Sequence, residues 1–171
     1  MEERSQPVHK GLQKILLADD DPDDRDLFEE AASSVAPDIK ITVAQDGVEL
    51  MDYLRNQKYR PDLIFLDLNM PRKNGKECLI EISNDKDLKS IPVIIFSTSL
   101  NPLDIDDTFN QGAFHFFRKP NSFEELKNIL HNALHASIEN ATSRMKEKFV
   151  LNSNYKMDSK WTGKSDTIID L

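Results

Sequence analysis

The sequence predicts an α/β protein built on a doubly wound, five-stranded parallel sheet with strand order 2-1-3-4-5. Three observations carry that prediction. Five short apolar runs alternate with five longer segments whose apolar residues recur at helical spacing, the pattern of strand–helix units in one parallel sheet with right-handed crossovers. The runs at 15–18, 63–66 and 92–96 are continuously apolar, as strands covered on both faces are. The run at 39–44 instead alternates apolar residues with Lys40 and Thr42, which moves it toward an edge.

Each element has its own local signal. Residues 1–13 are polar, with Pro7 and Gly11, and read as a leader. The first strand ends directly in Asp19, Asp20 and Asp21; Pro22 then fits a first helical position, with Asp21 as N-cap. Leu27, Phe28, Ala31, Ala32 and Val35 give that helix its apolar stripe. Gln45-Asp46-Gly47 turns the second strand into a helix over 48–56. The third strand runs straight into Asp67, and Lys73-Asn74-Gly75 turns into a helix over 75–84 that buries Cys78. The fourth strand ends in Ser97, Thr98 and Ser99. Asn101-Pro102 then opens an acidic helix, which Gly112 closes. The fifth strand, 114–117, leads to Arg118-Lys119-Pro120, and Ser122 with Glu125 forms a capping box for the last helix. Helices one and five are expected on one face, and two, three and four on the other.

The chain divides into the leader 1–13, one domain at 14–136, an extension of the last helix over 137–151, and a polar tail at 152–171. Ala141, Met145 and Phe149 carry the helical stripe into that extension. A net charge of -8 argues against a nucleic-acid surface, whose footprint is basic. The single cysteine excludes an internal disulfide. No apolar run approaches the ~20 residues of a membrane span, and no signal-peptide core opens the chain, so a cytoplasmic protein is expected.

In the expected topology the carboxyl ends of strands one, three, four and five share one edge. They bring together Asp19, Asp20, Asp67, Ser97 and Lys119. Singly, each has a plainer reading: a helix cap, a strand end, a solvated Lys-Pro turn. Their coincidence on one edge favours a site. Three close carboxylates repel unless a cation compensates, and Mg²⁺ suits carboxylates, waters and a phosphate. Asp20, Asp67 and the Asn69 backbone carbonyl are the expected direct ligands, with Asp19 acting through water. Lys119 suits one oxygen of an incoming phosphoryl group. Asp67 is then a nucleophile that forms an acyl phosphate, with Ser97 and Lys119 holding the phosphoryl oxygens.

The motifs ILLADDD, LDLNMPRKNG, PVIIFSTS and GAFHFFRKP together resemble the receiver domain of two-component response regulators over about 14–136. The resemblance implies a flavodoxin-like receiver fold and phosphorylation of Asp67 by a sensor histidine kinase or histidine phosphotransfer protein, with Mg²⁺ required. It implies a cis Lys119-Pro120 bond, and it puts the switch aromatic on Phe116, where Tyr is commoner. The run Asp21-Pro22-Asp23-Asp24 is similar to stand-alone receivers partnered with phytochrome-type kinases. Output is then expected through protein–protein contact, and the stripe of Ala141, Met145 and Phe149, with no predicted core left to cover, is expected to pair in a homodimer through helix 4, strand 5 and helix 5. A haloacid dehalogenase-type phosphatase fits less well, since it wants an Asp where Asn69 stands. A flavin-binding module is set aside because Asp19, Asp20 and Asp21 would repel its phosphate.

Overall fold

The computed structural model describes residues 12, 14–56, 58, 60–139 (135–139 by backbone only) and 149–151. The elements are β1 Lys14–Ala18, α1 Pro22–Val35, β2 Lys40–Ala44, α2 Gly47–Asn56, β3 Leu63–Leu66, α3 Gly75–Asn84, β4 Val93–Ser97, α4 Pro102–Asn110, β5 His115–Arg118, α5 Phe123–Glu139 and β6 Val150–Leu151. They form one parallel sheet in the order β2-β1-β3-β4-β5-β6. The order of the first five strands is the expected one.

Successive residues of each strand face opposite sides of the sheet. Ile15, Leu17, Leu63, Phe65, Ile94, Phe96 and Phe117 pack with Phe28 and Ala31 of α1 and with Leu126, Ile129 and Leu130 of α5. Leu16, Ile64, Leu66, Val93, Ile95 and Phe116 pack with Leu50, Met51 and Leu54 of α2 and with Cys78, Leu79 and Ile82 of α3, and α4 adds Ile105 and Phe109 at the margin. Thus helices one and five share a face, as the sequence predicts. Phe28, Phe65 and Phe96 meet edge-on, with ring centroids 4.9–6.1 Å apart. Each fully buried side chain of this size stabilises the fold by about 1.5–3 kcal/mol.

Caps set the helix starts. Asp21 accepts hydrogen bonds from the Asp23 and Asp24 amides. Asp46 accepts from Val48 and Glu49, and Asn74 and Glu77 close a reciprocal box at α3. Ser122 Oγ accepts from the Glu125 amide at 3.3 Å. Gly112, at φ 103°, follows α4 in the conformation glycine tolerates best.

The far end of the expected helical extension needs correction. α5 is helical to Glu139, but Phe149 lies in the core and Val150–Leu151 pair with β5 as a sixth strand. Phe149 falls at helical spacing from Met145, so the sequence pattern ran on through it. Burial against Phe109 and Phe116, with ring centroids at 5.2 and 6.2 Å, and pairing along the β5 edge decide otherwise. Ala141 and Met145, nearly all of the leader and the 152–171 tail lie outside the described residues.

Candidate functional site

The sheet ladder carries the acidic residues to its carboxyl edge. The Asp67 amide donates to the Ala18 carbonyl at 2.9 Å, and the Asp19 amide to the Ala44 carbonyl at 3.1 Å. Both aspartates therefore extend the strand register by one position, which sets their backbones at the same edge. The loop after β3 folds back so tightly that a Cβ on Gly75 would lie 2.1 Å from the Asp67 carbonyl oxygen. Only glycine fits there.

Carboxylate oxygens of Asp19, Asp20 and Asp67 gather within 4.8 Å of one another. Asp19 and Asp67 are buried and Asp20 is exposed, so the cluster opens to solvent on the Asp20 side. Lys119 sits against this group, with Nζ 2.7 Å from Asp19 Oδ2 and 3.3 Å from Asp67 Oδ2. The other Asp67 oxygen accepts from the Asn69 amide at 3.3 Å. Ser97 is buried at the end of β4, its Oγ accepting from the Ser99 amide at 3.3 Å. Its carbonyl accepts from the Lys119 amide at 2.8 Å, which aligns the ends of β4 and β5. Phe116 is fully buried on β5. The structure thus brings Asp19, Asp20, Asp67 and Lys119 into one pocket, with Asn69 and Ser97 at its margins and Phe116 on the strand that leads into it.

Asp24 was not legible as part of this pocket. Its Oδ2 lies 2.8 Å from Lys119 Nζ, which therefore meets a third carboxylate beside those of Asp19 and Asp67. Its place in the first turn of α1, below the strand-one acids, was the available signal; helix capping was the simpler reading. The Lys119-Pro120 bond is another difference: every described peptide bond is trans, the isomer an X-Pro bond intrinsically prefers.

The electrostatics are those of one cation shared among too many anions. Burial pushes the Asp19 carboxyl up to about 6, outweighing Lys119 and the Asp21 amide. Burial likewise raises Asp67 above the usual carboxylate range, against the pull of Lys119 and the Asn69 amide. Burial works against the Lys119 ammonium, but Asp19, Asp24 and Asp67 outweigh it and hold its pKa above that of an ordinary lysine. The ammonium is fully compensated while the carboxylates are not. An all-oxygen donor set with surplus negative charge and one open side fits a hard divalent cation.

The response regulator receiver domain family matches residues 15–131. Response regulator Rcp1 of Synechocystis sp. is 35% identical over 117 residues, covering 66% of this chain and 80% of Rcp1. The nitrate/nitrite response regulator NarL of Escherichia coli is 36% identical over 123 residues, covering 70% of this chain and 53% of NarL. Among solved structures, the phosphorylated cyanobacterial phytochrome response regulator RcpA superposes with a TM-score of 0.71 at 35% identity, covering 77% of this chain and 98% of RcpA. The Mn²⁺-bound form of Rcp1 gives 0.68 at 30% identity, covering 78% and 99%. Among the described residues no helix is long and apolar enough to cross a membrane. With its fold, the acidic pocket at the carboxyl edge and these relatives in agreement, the chain belongs to the receiver domain family of two-component response regulators.

Proposed function

We propose that Asp67 is the phosphoacceptor of this receiver and that residues 14–136 form the receiver unit. The observation that carries the reading is the pocket itself: Lys119 Nζ lies 3.3 Å from an Asp67 oxygen inside a cluster of carboxylates spanning 4.8 Å. An Asp67 oxygen attacks the phosphorus of a phosphohistidine. The P–O bond forms as the P–N bond breaks, and the electron pair leaves with the imidazole nitrogen, which takes up a proton. Lys119 binds one phosphoryl oxygen in place of the carboxylate oxygen it now holds, and the Ser97 hydroxyl donates to another.

Asp20, Asp67 and the Asn69 backbone carbonyl would hold Mg²⁺, with Asp19 acting through a water. Bound there, the cation supplies charge neutralisation at the nucleophile and at the phosphoryl oxygens. Phosphorylation adds negative charge beside Ser97, and Phe116 is the aromatic residue that responds.

The donor is a sensor histidine kinase or a histidine phosphotransfer protein. A phytochrome-type kinase is favoured by the likeness to RcpA, which is described as a phytochrome response regulator. The protein works in the cytoplasm, catalyses nothing beyond its own phosphorylation and dephosphorylation, and signals by protein–protein contact. A homodimer through α4, β5 and α5 belongs to the same proposal. Its support now rests on exposed Leu103 of α4, because Phe149 is buried within its own chain. Light scattering of the free and phosphorylated protein measures it.

Acetyl phosphate with Mg²⁺, read by intact mass, tests the central claim. One phosphoryl group is expected, prevented by EDTA and absent from Asp67→Asn. Full labelling of the Asp67→Asn protein would overturn the site.

A further inference from the structure

Arg72, in the loop between β3 and α3, is the single described non-glycine residue with positive φ, at 63°. An arginine stays in that conformation only where its surroundings hold it. Here the Lys73 amide closes a tight turn onto the Pro71 carbonyl at 2.7 Å. The Arg72 guanidinium reaches Asp46 Oδ2 through Nε at 2.8 Å and also through Nη2. Asp46 is itself tied down, since its other oxygen accepts from Val48 at 2.8 Å and Glu49 at 3.0 Å as the cap of α2. Alongside, a Cβ on Gly47 would lie 2.2 Å from the Lys73 carbonyl oxygen, so the loop backbone rests directly on the start of α2. The loop is thus fixed at two places on different neighbours. Gly75 closes against Asp67, and Arg72 and Lys73 close against α2. Asn69, whose amide fixes one Asp67 oxygen, lies on the stretch of loop between Asp67 and Arg72.

We infer that Arg72 is a positioning residue for the phosphoacceptor: its tie to Asp46 holds the β3–α3 loop, and with it Asn69 and the Asp67 rotamer, in the geometry that cation binding and phosphoryl transfer require. The inference rests on the reading of Asp67 given above. Stability is only a partial account of the pair: Asp46 is buried, but the Arg72 side chain is 56% exposed and water screens the attraction at that end. Geometry is a better one. A displacement of about 1 Å at a reacting group costs up to about a hundredfold in rate.

The test uses the full chain as wild type, Arg72→Ala, Arg72→Lys and Asp46→Asn. The last keeps a capping oxygen for α2 and removes the charge that Arg72 grips. Three quantities are measured for each: Mn²⁺ affinity by calorimetry, the Mg²⁺ dependence of labelling by acetyl phosphate, and the melting temperature. Arg72→Ala and Asp46→Asn are expected to weaken Mn²⁺ binding and raise half-saturating Mg²⁺ by about tenfold, and to slow labelling at saturating Mg²⁺. Arg72→Lys is expected to recover part of the loss, since it restores the charge without the planar fork. Mn²⁺ affinity and labelling within about twofold of wild type would overturn the inference, whatever the melting temperature does. If Arg72→Ala does not fold, Arg72→Lys and Asp46→Asn decide in the same terms. Failure of the phosphoacceptor reading looks different: the wild type takes no label, or Asp67→Asn keeps it.

Discussion

Strand β5 joins two neighbourhoods that work on opposite principles. At its exit, Lys119 sits among Asp19, Asp24 and Asp67, charges held at a sheet edge where burial costs the carboxylates their hydration. Further back on the same strand, Phe116 is fully buried beneath Phe149, which in turn packs edge-on against Phe109 of α4. The aromatic corner is held by dispersion and exclusion of water, and each contact there favours the folded state. The acidic pocket is held by strand register and hydrogen bonds against its own repulsion. Natural sequences tolerate such conflict where it serves chemistry and compensate for it elsewhere. The contrast teaches that the pocket is a stressed site carried on a dry, well-packed support.

Phe149→Ala is the most forceful way to break this comparison. Truncating a buried ring against Phe109 and Phe116 is expected to cost about 3 kcal/mol or more, read as a lower denaturant midpoint with an unchanged slope. A loss under about 1 kcal/mol would mean that the corner does not support the strand.

The pocket predicts the opposite response to charge. In chelator, the unfolded chain releases the Asp19 proton near its ordinary 3.8, whereas the folded chain keeps it until about 6. Between those values the folded state binds more protons, so stability falls as pH rises through the window and levels off above it. At about 1.4 kcal/mol per pH unit, the loss is about 3 kcal/mol. Asp67, also raised, pulls the same way. Asp19→Asn is expected to flatten the fall and Mg²⁺ to offset it. Parallel pH profiles for wild type and Asp19→Asn would show that Asp19 carries no such burden.

The smallest effect belongs to Lys76 of α3, which pairs with Asp104 at 2.7 Å and Asp107 at 2.8 Å on α4. These groups are partly exposed, so Lys76→Met is expected to cost less than about 1 kcal/mol. Hydrogen exchange in α4 is expected to quicken while that of β1 and β3 stays unchanged. Equal protection in α4 would show that the pair does not hold that helix.

Most of the fold was legible because its signals are local. Continuous apolar runs mark strands buried on both faces, and Asp21 and Ser122 announce the helices they cap. The reactive edge was legible for a different reason: parallel topology sends every strand end to one side, so Asp19, Asp20, Asp67 and Lys119 had to meet. What escaped notice depends on contacts between distant residues. The first-turn position of Asp24 fits a helix-end acid as well as it fits a partner for Lys119, and nothing near Arg72 says that Asp46 waits to fix it. β6 escaped because two residues have no periodicity, and Phe149 fell in step with the helix before it. The acidic character of α4 was legible, but the pairing of Asp104 and Asp107 with Lys76 is decided by how α3 and α4 lie together.

The direction of β6 has a consequence of its own. Because β6 runs parallel to β5, with Leu151 beside Phe117, its carboxyl end points to the edge that carries Lys119 and Asp67. A group attached at that end starts on the reactive side of the sheet. A tethered group of this kind meets its target at an effective concentration in the millimolar range, set by tether length and not by how much protein is present. A group attached at the end of β6 would therefore begin on the pocket's edge of the sheet, and the same attachment at the start of β1 would begin from the opposite edge.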